Sequence, residues 1–208
     1  MQHAWLSQLR NHPIIAAIRD PADVGLALES PINTVFLLSG HLLNIVEMIR
    51  RAAREERFVF VHLDLIDGLA KDQHGVRWLA EAGRPTGVIT TRASMVSAAR
   101  VLGLATIQRV FLLDSQSIHT GLEVAHNTRA DVLELLPGIL PEVIRELLPR
   151  ANRPLIAGGL IKTPEQCRGA LAAGAWAIST SDHRLWRLDP RELLHNVPTT
   201  TYSEVNNP

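Results

Sequence analysis

A regular alternation of short apolar runs and helical patterns constrains the fold of this chain more than any other feature. Eight runs rich in β-branched residues have the length and composition of buried parallel strands. They are Ile14–Arg19, Thr34–Ser39, Phe58–Leu65, Gly87–Thr91, Ala105–Leu112, Val132–Leu136, Pro154–Gly158 and Trp176–Thr180. Helical patterns lie between them, including Leu42–Glu56, Ser94–Leu102, Ser115–His126, Pro141–Leu148 and Pro164–Ala173. The alternation predicts an α/β fold built on a parallel sheet.

Eight strands with intervening helices in 208 residues predict a small single-domain (β/α)8 barrel of the TIM type. A doubly wound open sheet is the competing architecture. The last helical unit is truncated, because only two short helical segments, 182–187 and 191–195, follow the eighth strand. We expect the barrel to span residues 1–188 and residues 189–208 to form a polar, mobile tail.

The composition limits the classes of protein that this chain can belong to. With 46% hydrophobic and 20% charged residues it can bury a core, which excludes a disordered chain. The formal net charge is zero, whereas a dedicated nucleic-acid binder usually has a basic excess. Any contact with RNA must therefore come from a local patch.

Cysteine content and hydropathy bear on the cellular environment. Cys167 is the only cysteine, so neither an intrachain disulfide nor a multi-cysteine zinc site can form. The N-terminal segment lacks the pattern of a signal peptide, and no stretch approaches the roughly 20 apolar residues of a membrane span. We expect a cytoplasmic protein without membrane contact. The sequence leaves open whether it forms a homo-oligomer.

The ends of the last two predicted strands suggest a phosphate site. Ligands of such barrels bind at the carboxyl ends of the strands, and phosphates often bind after strands seven and eight. Gly158 and Gly159 would let bare backbone amides approach an anion, and Thr180 and Ser181 would add donors. Each element taken alone is equally consistent with a tight turn or a helix cap. Together they favour a phosphate site.

Charged residues near other strand ends suggest further contacts. Arg19, Arg92 and Arg109 could clamp a phosphate or carboxylate, or form structural ion pairs. His62, Asp64 and Glu134 suit the hydroxyl groups of a polyol, but equally suit general acid–base catalysis. A metal site from His62, Asp64 and Asp67 matches no strong signature, and we assign none.

Two arginine groups are candidates for RNA contact. Arg50, Arg54 and Arg57 recur at i, i+4 and i+7 along and just after the helical pattern Leu42–Glu56, and Arg184 and Arg187 follow the last strand. Glutamates are interleaved with the first group, so a solvated charged face is its default interpretation. No recognised RNA-binding motif is present.

A series of segments in a fixed order connects the chain to a known family. They are Pro-Ile-Ile-Ala-Ala-Ile-Arg at 13–19, Val-Phe-Leu-Leu at 35–38, Val-His-Leu-Asp-Leu-Ile-Asp-Gly-Leu at 61–69, Thr-Thr-Arg at 90–92, Thr-Ile-Gln-Arg-Val-Phe-Leu-Leu-Asp-Ser at 106–115, Glu-Leu-Leu-Pro-Gly at 134–138, Ile-Ala-Gly-Gly-Leu-Ile at 156–161 and Ile-Ser-Thr-Ser at 178–181. Over residues 13–187 the chain resembles the glycerol-3-phosphate-responsive antiterminators, the glycerol uptake operon antiterminator regulators of bacteria. The joint order of the segments carries the resemblance, since each one alone is weak.

The resemblance implies a barrel that binds glycerol 3-phosphate as an effector and prevents premature termination in the leader messenger RNA of glycerol-catabolic operons. It implies neither a catalytic residue nor a cofactor. By carry-over, the effector pocket would be lined by His62, Asp64, Lys71, Arg92, Gln108, Arg109 and Glu134, with the phosphate held by Gly158, Gly159, Thr180 and Ser181. An enzyme acting on a triose or sugar phosphate, and a metabolite sensor acting through a protein partner, are the alternatives.

Overall fold

The structure is a computed structural model that describes residues 2–195. Eight parallel strands pair in sequence order and close into one barrel. They are β1 (Ile14–Ile18), β2 (Thr34–Leu37), β3 (Phe58–His62), β4 (Gly87–Thr90), β5 (Ala105–Phe111), β6 (Val132–Leu136), β7 (Leu155–Gly158) and β8 (Ala177–Thr180). The first and last strands pair directly, with Ile14 opposite Ile178, so no sheet edge remains. The predicted (β/α)8 barrel is confirmed, and the open sheet was the wrong alternative.

Helices surround the barrel. They are α1 (Gln2–Asn11), α2 (Val24–Leu28), α3 (Ile45–Arg54), α4 (Gln73–Ala82), α5 (Ala93–Val101), α6 (Ser115–Thr128), α7 (Pro141–Ala151), α8 (Pro164–Ala172) and α9 (Pro190–Leu194). The helices α1, α2 and α4 are absent from the sequence prediction. No helix in the part of the chain that the structure describes is long and apolar enough to span a bilayer.

Two hydrophobic clusters divide the core between the inside and the outside of the barrel. The larger one packs alternate strand residues against the helices. The smaller one fills the interior and includes Phe36, Phe60 and Ile107. Because successive side chains of a strand point to opposite faces, inward and outward residues alternate along every strand. The same alternation decides which polar side chains can reach a ligand inside the barrel.

The helix α1 closes the N-terminal end of the barrel. Its Trp5 and Leu9 are fully buried among the interior residues, and the Trp5 ring lies 4.3 Å from that of Phe60. The glycine at the start of β4 makes room for this packing, since a Cβ on Gly87 would lie 2.4 Å from the Phe60 ring. Ligands can therefore enter the interior only from the opposite end.

The chain stays folded beyond the predicted end of the barrel at residue 188. After β8 come a short 3-10 turn (Leu185–Arg187) and then α9, which confirms the truncated last unit. Pro190 begins α9, the Asp189 carboxylate accepts from the Arg191 amide at 2.8 Å, and Leu193 is buried. Residues 189–194 therefore differ from the predicted mobile tail, because a helix cap and a buried leucine fix them. The rest of that predicted tail, 196–208, lies outside the described residues.

Candidate functional site

A buried polar network lies inside the barrel below its C-terminal mouth. Glu134 of β6 is 1% exposed, and both of its carboxylate oxygens have partners. Arg109 Nε of β5 donates to one oxygen at 2.8 Å, and Ser179 Oγ of β8 donates to the other at 2.5 Å. Arg109 and Glu134 are register partners on neighbouring strands, which places both side chains on the inner face. The charges of the pair compensate each other, as burial requires.

A glycine on β7 provides the space for this network. A Cβ on Gly158 would lie 2.6 Å from Ser179 Oγ and 2.7 Å from Glu134 Oε1, far closer than van der Waals contact. The carbonyl oxygen of Gly158 accepts from the Gly138 amide at 2.6 Å. Because Gly158 has no side chain, the Glu134 and Ser179 side chains can occupy the floor of the mouth.

A cavity of about 870 Å³ lies above this network, between the ends of β1, β7 and β8. Its polar lining comprises Arg19, Ser39, Arg109, Gly159, Lys162, Ser179, Thr180, Ser181 and Asp182. Three of these residues are cations. The one carboxylate among them, that of Asp182, is bound by Arg184 through two contacts of 3.0 and 2.6 Å. Those hydrogen bonds lower the pKa of Asp182 to about 2. The cavity therefore suits an anion.

Gly159 borders the cavity in a conformation that few other residues adopt. Its φ is +74°, in the left-handed region that favours glycine, and it follows β7 directly. The backbone there is not covered by a side chain of its own. The close approach of a phosphate to this backbone stays a prediction of the sequence.

A second ion pair lies beside the mouth, between the loops after β3 and β4. Asp64 Oδ1 lies 2.9 Å from Arg92 Nε, while Asp64 Oδ2 accepts from Thr90 Oγ1 at 2.8 Å and from the Thr91 amide at 3.2 Å. Lys71 Nζ donates to the carbonyl oxygens of Leu63 and Ile66, at 2.8 and 2.6 Å. The Lys71 ammonium therefore fixes the loop after β3.

His62 is held neutral inside the barrel. Its side chain is 4% exposed, and its Nδ1 lies 3.8 Å from Asp64 Oδ2. Burial, followed by the positive charge of Arg109, lowers the pKa of His62 to about 4. Within the described part of the chain Nδ1 has no hydrogen-bond partner. A neutral imidazole can donate at one nitrogen and accept at the other, which suits a hydroxyl group.

The predicted site residues fall into groups by their position around the mouth. Arg19, Arg109, Gly159, Thr180 and Ser181 border the cavity. Glu134, Gly158 and His62 form its floor or lie in the interior nearby, whereas Asp64, Lys71 and Arg92 lie on the β3–β4 side.

Two predicted residues direct their polar groups away from the cavity. The Gln108 side chain accepts from Thr128 Oγ1 of α6 at 3.1 Å, outside the barrel. Thr180 Oγ1 donates to the carbonyl oxygen of Ile161 at 3.1 Å and accepts from the Asp182 amide. Each is adjacent in sequence to an inward residue, and the pleat of the strand turns it outward. The structure thus gives Gln108 a structural contact with a helix in place of the predicted pocket contact.

Four polar residues of the cavity lining are absent from the predicted site: Ser39, Lys162, Ser179 and Asp182. Ser179, which completes the Glu134 network, is two residues before Ser181 on the inward face, so the period of two could have identified it. Lys162 lines the cavity from the loop after β7, where the sequence carries no periodic signal.

The arginines predicted as candidates for RNA contact have separate partners or are exposed, and no hydrogen bond or ion pair in the described chain links them to one another. Arg50 Nη2 donates to the carbonyl oxygen of Ala82, and Arg57 Nη2 donates to that of Leu28. Arg54 and Arg187 are exposed, and Arg184 is paired with Asp182. Arg50 and Arg57 therefore have contacts within the fold that explain them without RNA.

Among the described residues no group of three His, Cys, Asp or Glu side chains could hold a metal ion. The one cysteine, Cys167, is fully buried on α8, and burial raises the pKa of its thiol to about 11. At neutral pH this thiol is protonated and a poor nucleophile.

Comparisons with known proteins agree with this architecture. The family model for the glycerol-3-phosphate responsive antiterminator matches residues 14–186. The uncharacterized protein YgcP of Escherichia coli (strain K12) is 34% identical over 183 residues, which cover 88% of this chain and 96% of YgcP.

Two solved structures are also similar. The glycerol uptake operon antiterminator regulatory protein of Listeria monocytogenes is 33% identical with a TM-score of 0.82, covering 85% of this chain and 95% of that one. A glycerol uptake operon antiterminator-related protein of Thermotoga maritima is 33% identical with a TM-score of 0.75, covering 84% and 98%. The family match spans all eight strands and the mouth that they surround, and this chain belongs to the glycerol-3-phosphate responsive antiterminator family.

Proposed function

We propose that this chain is a transcription antitermination regulator that binds glycerol 3-phosphate in the cavity at the barrel mouth. The observation that carries the proposal is the cavity lining, in which the cations Arg19, Arg109 and Lys162 accompany the uncovered backbone of Gly159. These groups suit a phosphate dianion. The hydroxyls of Ser179 and Ser181 suit the polar remainder of a glycerol phosphate.

The regulatory half of the proposal concerns leader messenger RNA of a glycerol-catabolic operon. Family membership supports this half. The position of the cavity between loops also supports it, because a bound ligand can make such loops more ordered. Glycerol 3-phosphate would stabilise the form that binds RNA. Linkage then requires RNA to raise the affinity for the ligand by the factor by which the ligand raises the affinity for RNA.

The alternative is an enzyme that uses Asp64 or Glu134 as acid or base on a triose or sugar phosphate. The neutral His62, with its unpartnered Nδ1 among the described residues, is the observation in its favour. Against it, both oxygens of Glu134 accept hydrogen bonds, and Asp64 is paired with Arg92 through one oxygen and accepts from Thr90 through the other, so a proton transfer would first break those contacts. Turnover of such a substrate, abolished in Asp64→Asn, would establish the enzyme.

A thermal unfolding titration with glycerol 3-phosphate tests the ligand half. A ligand at 100 times its Kd adds about 2.7 kcal/mol to the free energy of unfolding. For a chain of this length we expect the midpoint to rise by roughly 5–10 °C. Glycerol and inorganic phosphate, at the same concentrations, serve as controls for the glycerol part and the phosphate part of the ligand.

Two matched variants sharpen the titration. Arg19→Gln removes an exposed cation of the cavity, and we expect it to weaken binding about tenfold, as for the loss of a hydrogen bond to a charged group. Arg54→Gln makes the same change on α3, outside the cavity, and leaves the affinity unchanged. Equal effects of the two substitutions, or an equal shift with free phosphate, would contradict a specific effector site.

A further inference from the structure

A second charged group lies at the closed, N-terminal end of the barrel, far from the cavity. Three arginines surround Asp131, the residue just before β6. Arg100 lies in the last turn of α5, Arg129 follows α6, and Arg153 precedes β7. We call Arg100, Arg129 and Arg153 the arginine cluster. None of them belongs to the cavity or to the arginines singled out by the sequence pattern.

Asp131 and nearby backbone carbonyl groups hold Arg100 and Arg153 in place. Arg100 Nη1 lies 2.9 Å from Asp131 Oδ1, and it donates to the carbonyl oxygen of Arg129 at 2.5 Å. The second oxygen of Asp131 accepts from the Thr106 amide at 2.7 Å and from Thr106 Oγ1 at 2.8 Å. Arg153 Nη1 donates to the carbonyl oxygen of Ala130 at 2.7 Å. The guanidinium groups of Arg100 and Arg153 are therefore held in place by the fold, which lowers the entropy cost of binding a partner.

The charges of the arginine cluster are not balanced. Asp131 forms an ion pair with Arg100. No ion pair among the described residues involves Arg129 or Arg153, so the arginine cluster carries an excess of positive charge. Partial burial lowers the pKa of Arg153, and the neighbouring Arg100 and Arg129 lower it further, against the opposing effect of Asp131. A polyanion bound here would relieve the repulsion among the three guanidinium groups.

Arg129 occupies a position that ordinarily favours glycine. Its φ is +54° and its ψ is 41°, the left-handed conformation in which helices commonly end at a glycine. Its amide donates to the carbonyl oxygen of His126, and its side chain is exposed. No hydrogen bond within the described chain explains the choice of an arginine side chain over glycine at this turn. Its charge is free to bind a partner.

From these observations we propose that the arginine cluster binds the phosphodiester backbone of RNA, on the face opposite the effector cavity. The inference rests on the proposed function and specifies its RNA surface. Guanidinium groups form paired hydrogen bonds to phosphate oxygens, and phosphate contacts dominate RNA affinity. A protein partner fits the other face better, because six of the eight large exposed apolar residues among the described ones lie around the mouth, whereas Val101 alone lies beside the arginine cluster. The six are Leu43, Leu65, Phe111, Leu113, Leu140 and Leu160.

The geometry offers a direct connection between the two faces. The strand β5 carries Thr106 at the arginine cluster and Arg109 at the cavity, three residues apart. Asp131 and Glu134 are equally spaced on and just before β6. At about 3.3 Å per residue, the two sites are roughly 10 Å apart along these paired strands. Binding at one end can thus bias the other through two adjacent strands.

Fluorescence anisotropy with a short labelled single-stranded RNA tests the assignment, with and without saturating glycerol 3-phosphate. Arg129→Gly removes the exposed cation and places the preferred residue in the left-handed turn, so the variant folds. We expect its RNA affinity to fall about 3–10-fold near 0.1 M salt. The slope of log affinity against log salt falls in magnitude by about 0.7, the value for one phosphate contact. Arg129→Lys keeps the charge and should recover most of the affinity.

The chain offers a matched control in Arg84→Gly. Arg84 is also exposed, has a φ of +53° and precedes a strand, β4, but does not belong to the arginine cluster. We expect its RNA affinity to stay within twofold of the unsubstituted protein. Equal losses in the two glycine variants would mean that general charge, and not the arginine cluster, binds RNA, and the proposal would be overturned.

The remaining outcomes separate this inference from the proposed function. RNA binding that is intact in Arg129→Gly would place the RNA surface elsewhere and leave the proposed function standing. An unsubstituted protein that binds no RNA, with or without glycerol 3-phosphate, would overturn both the arginine cluster and the RNA half of the function. The thermal titration would still report on the ligand half alone.

Discussion

At the N-terminal end of the barrel α1 packs Trp5 and Leu9 against the strands, whereas at the C-terminal end a cavity of about 870 Å³ remains open. The closed end is filled by apolar and aromatic side chains. The open end has buried ions instead, with Arg109 bound to Glu134 and Glu134 bound to Ser179. Burying apolar groups stabilises the fold, while buried ions cost desolvation. The difference indicates that the closed end supplies stability, while the open end holds the polar groups that the proposed ligand would contact.

The largest effect is expected when the tryptophan that closes the N-terminal end of the barrel is removed. Trp5→Ala takes away a fully buried ring that contacts Phe60, and we expect the free energy of unfolding to fall by about 3–5 kcal/mol. Leu160→Ala is the counterpart at the mouth, where the side chain is 61% exposed, and its effect should stay within about 0.5 kcal/mol. Urea denaturation measures both. A cost at Leu160 comparable to that at Trp5 would remove the distinction between the ends.

The next test uses pH. His62 has a pKa of about 4 in the fold and about 6.5 in the unfolded chain, where it is solvated. As the pH falls from about 6.5 to 4, the unfolded chain binds the proton first, so stability is lost on acidification. The loss amounts to about 3 kcal/mol, at about 1.36 kcal/mol per pKa unit. We expect His62→Gln, which cannot take up a proton, to remove this dependence when urea denaturation is repeated across that window. Parallel pH profiles for the two proteins would contradict a buried neutral histidine.

The sequence predicts the mouth better than it predicts the closed end. Strand composition, and glycine or hydroxyl residues after β7 and β8, follow local rules and place Gly159 and Ser181 at the cavity. The helix α1 contains only a few apolar residues, so its sequence has no strong helical periodicity of hydrophobic positions. Its role arises from packing across the barrel, with Trp5 buried by strands far away in sequence.

Two distinctions within the site required more than residue type. Gln108 and Arg109 are neighbours with similar polarity, yet only Arg109 points inward, and the same holds for Thr180 beside Ser179. A strict period of two, anchored on the apolar interior residues, would have separated them. The role of Lys71 could not be read in this way, since its bonds to backbone carbonyls depend on the path of a loop.

The arginine cluster lies beyond sequence reasoning for a related reason. Its members come from the end of α5 and from the loops before β6 and β7, which the closed barrel places beside Asp131. Their separation in sequence shows no helical or strand period. Only the order of the strands around the barrel, which places these segments side by side, reveals the excess charge.

The smallest of the three expected losses of stability comes from a substitution in the polar network at the mouth. Gly158→Ala places a Cβ against Ser179 Oγ and Glu134 Oε1, and such overpacking costs about 1–3 kcal/mol. The substituted side chain also disturbs the hydrogen bond between those residues, so the midpoint shift with glycerol 3-phosphate should shrink or vanish. Gly169→Ala is the control: on α8 its Cβ would meet nothing closer than Pro141 at 3.5 Å. That change should stabilise the helix by roughly 0.5–1 kcal/mol and leave the ligand shift intact. If Gly158→Ala keeps the full midpoint shift with glycerol 3-phosphate, binding does not depend on the polar network below the cavity. The cavity-lining groups above that network, such as Arg19 and Lys162, would then account for binding alone.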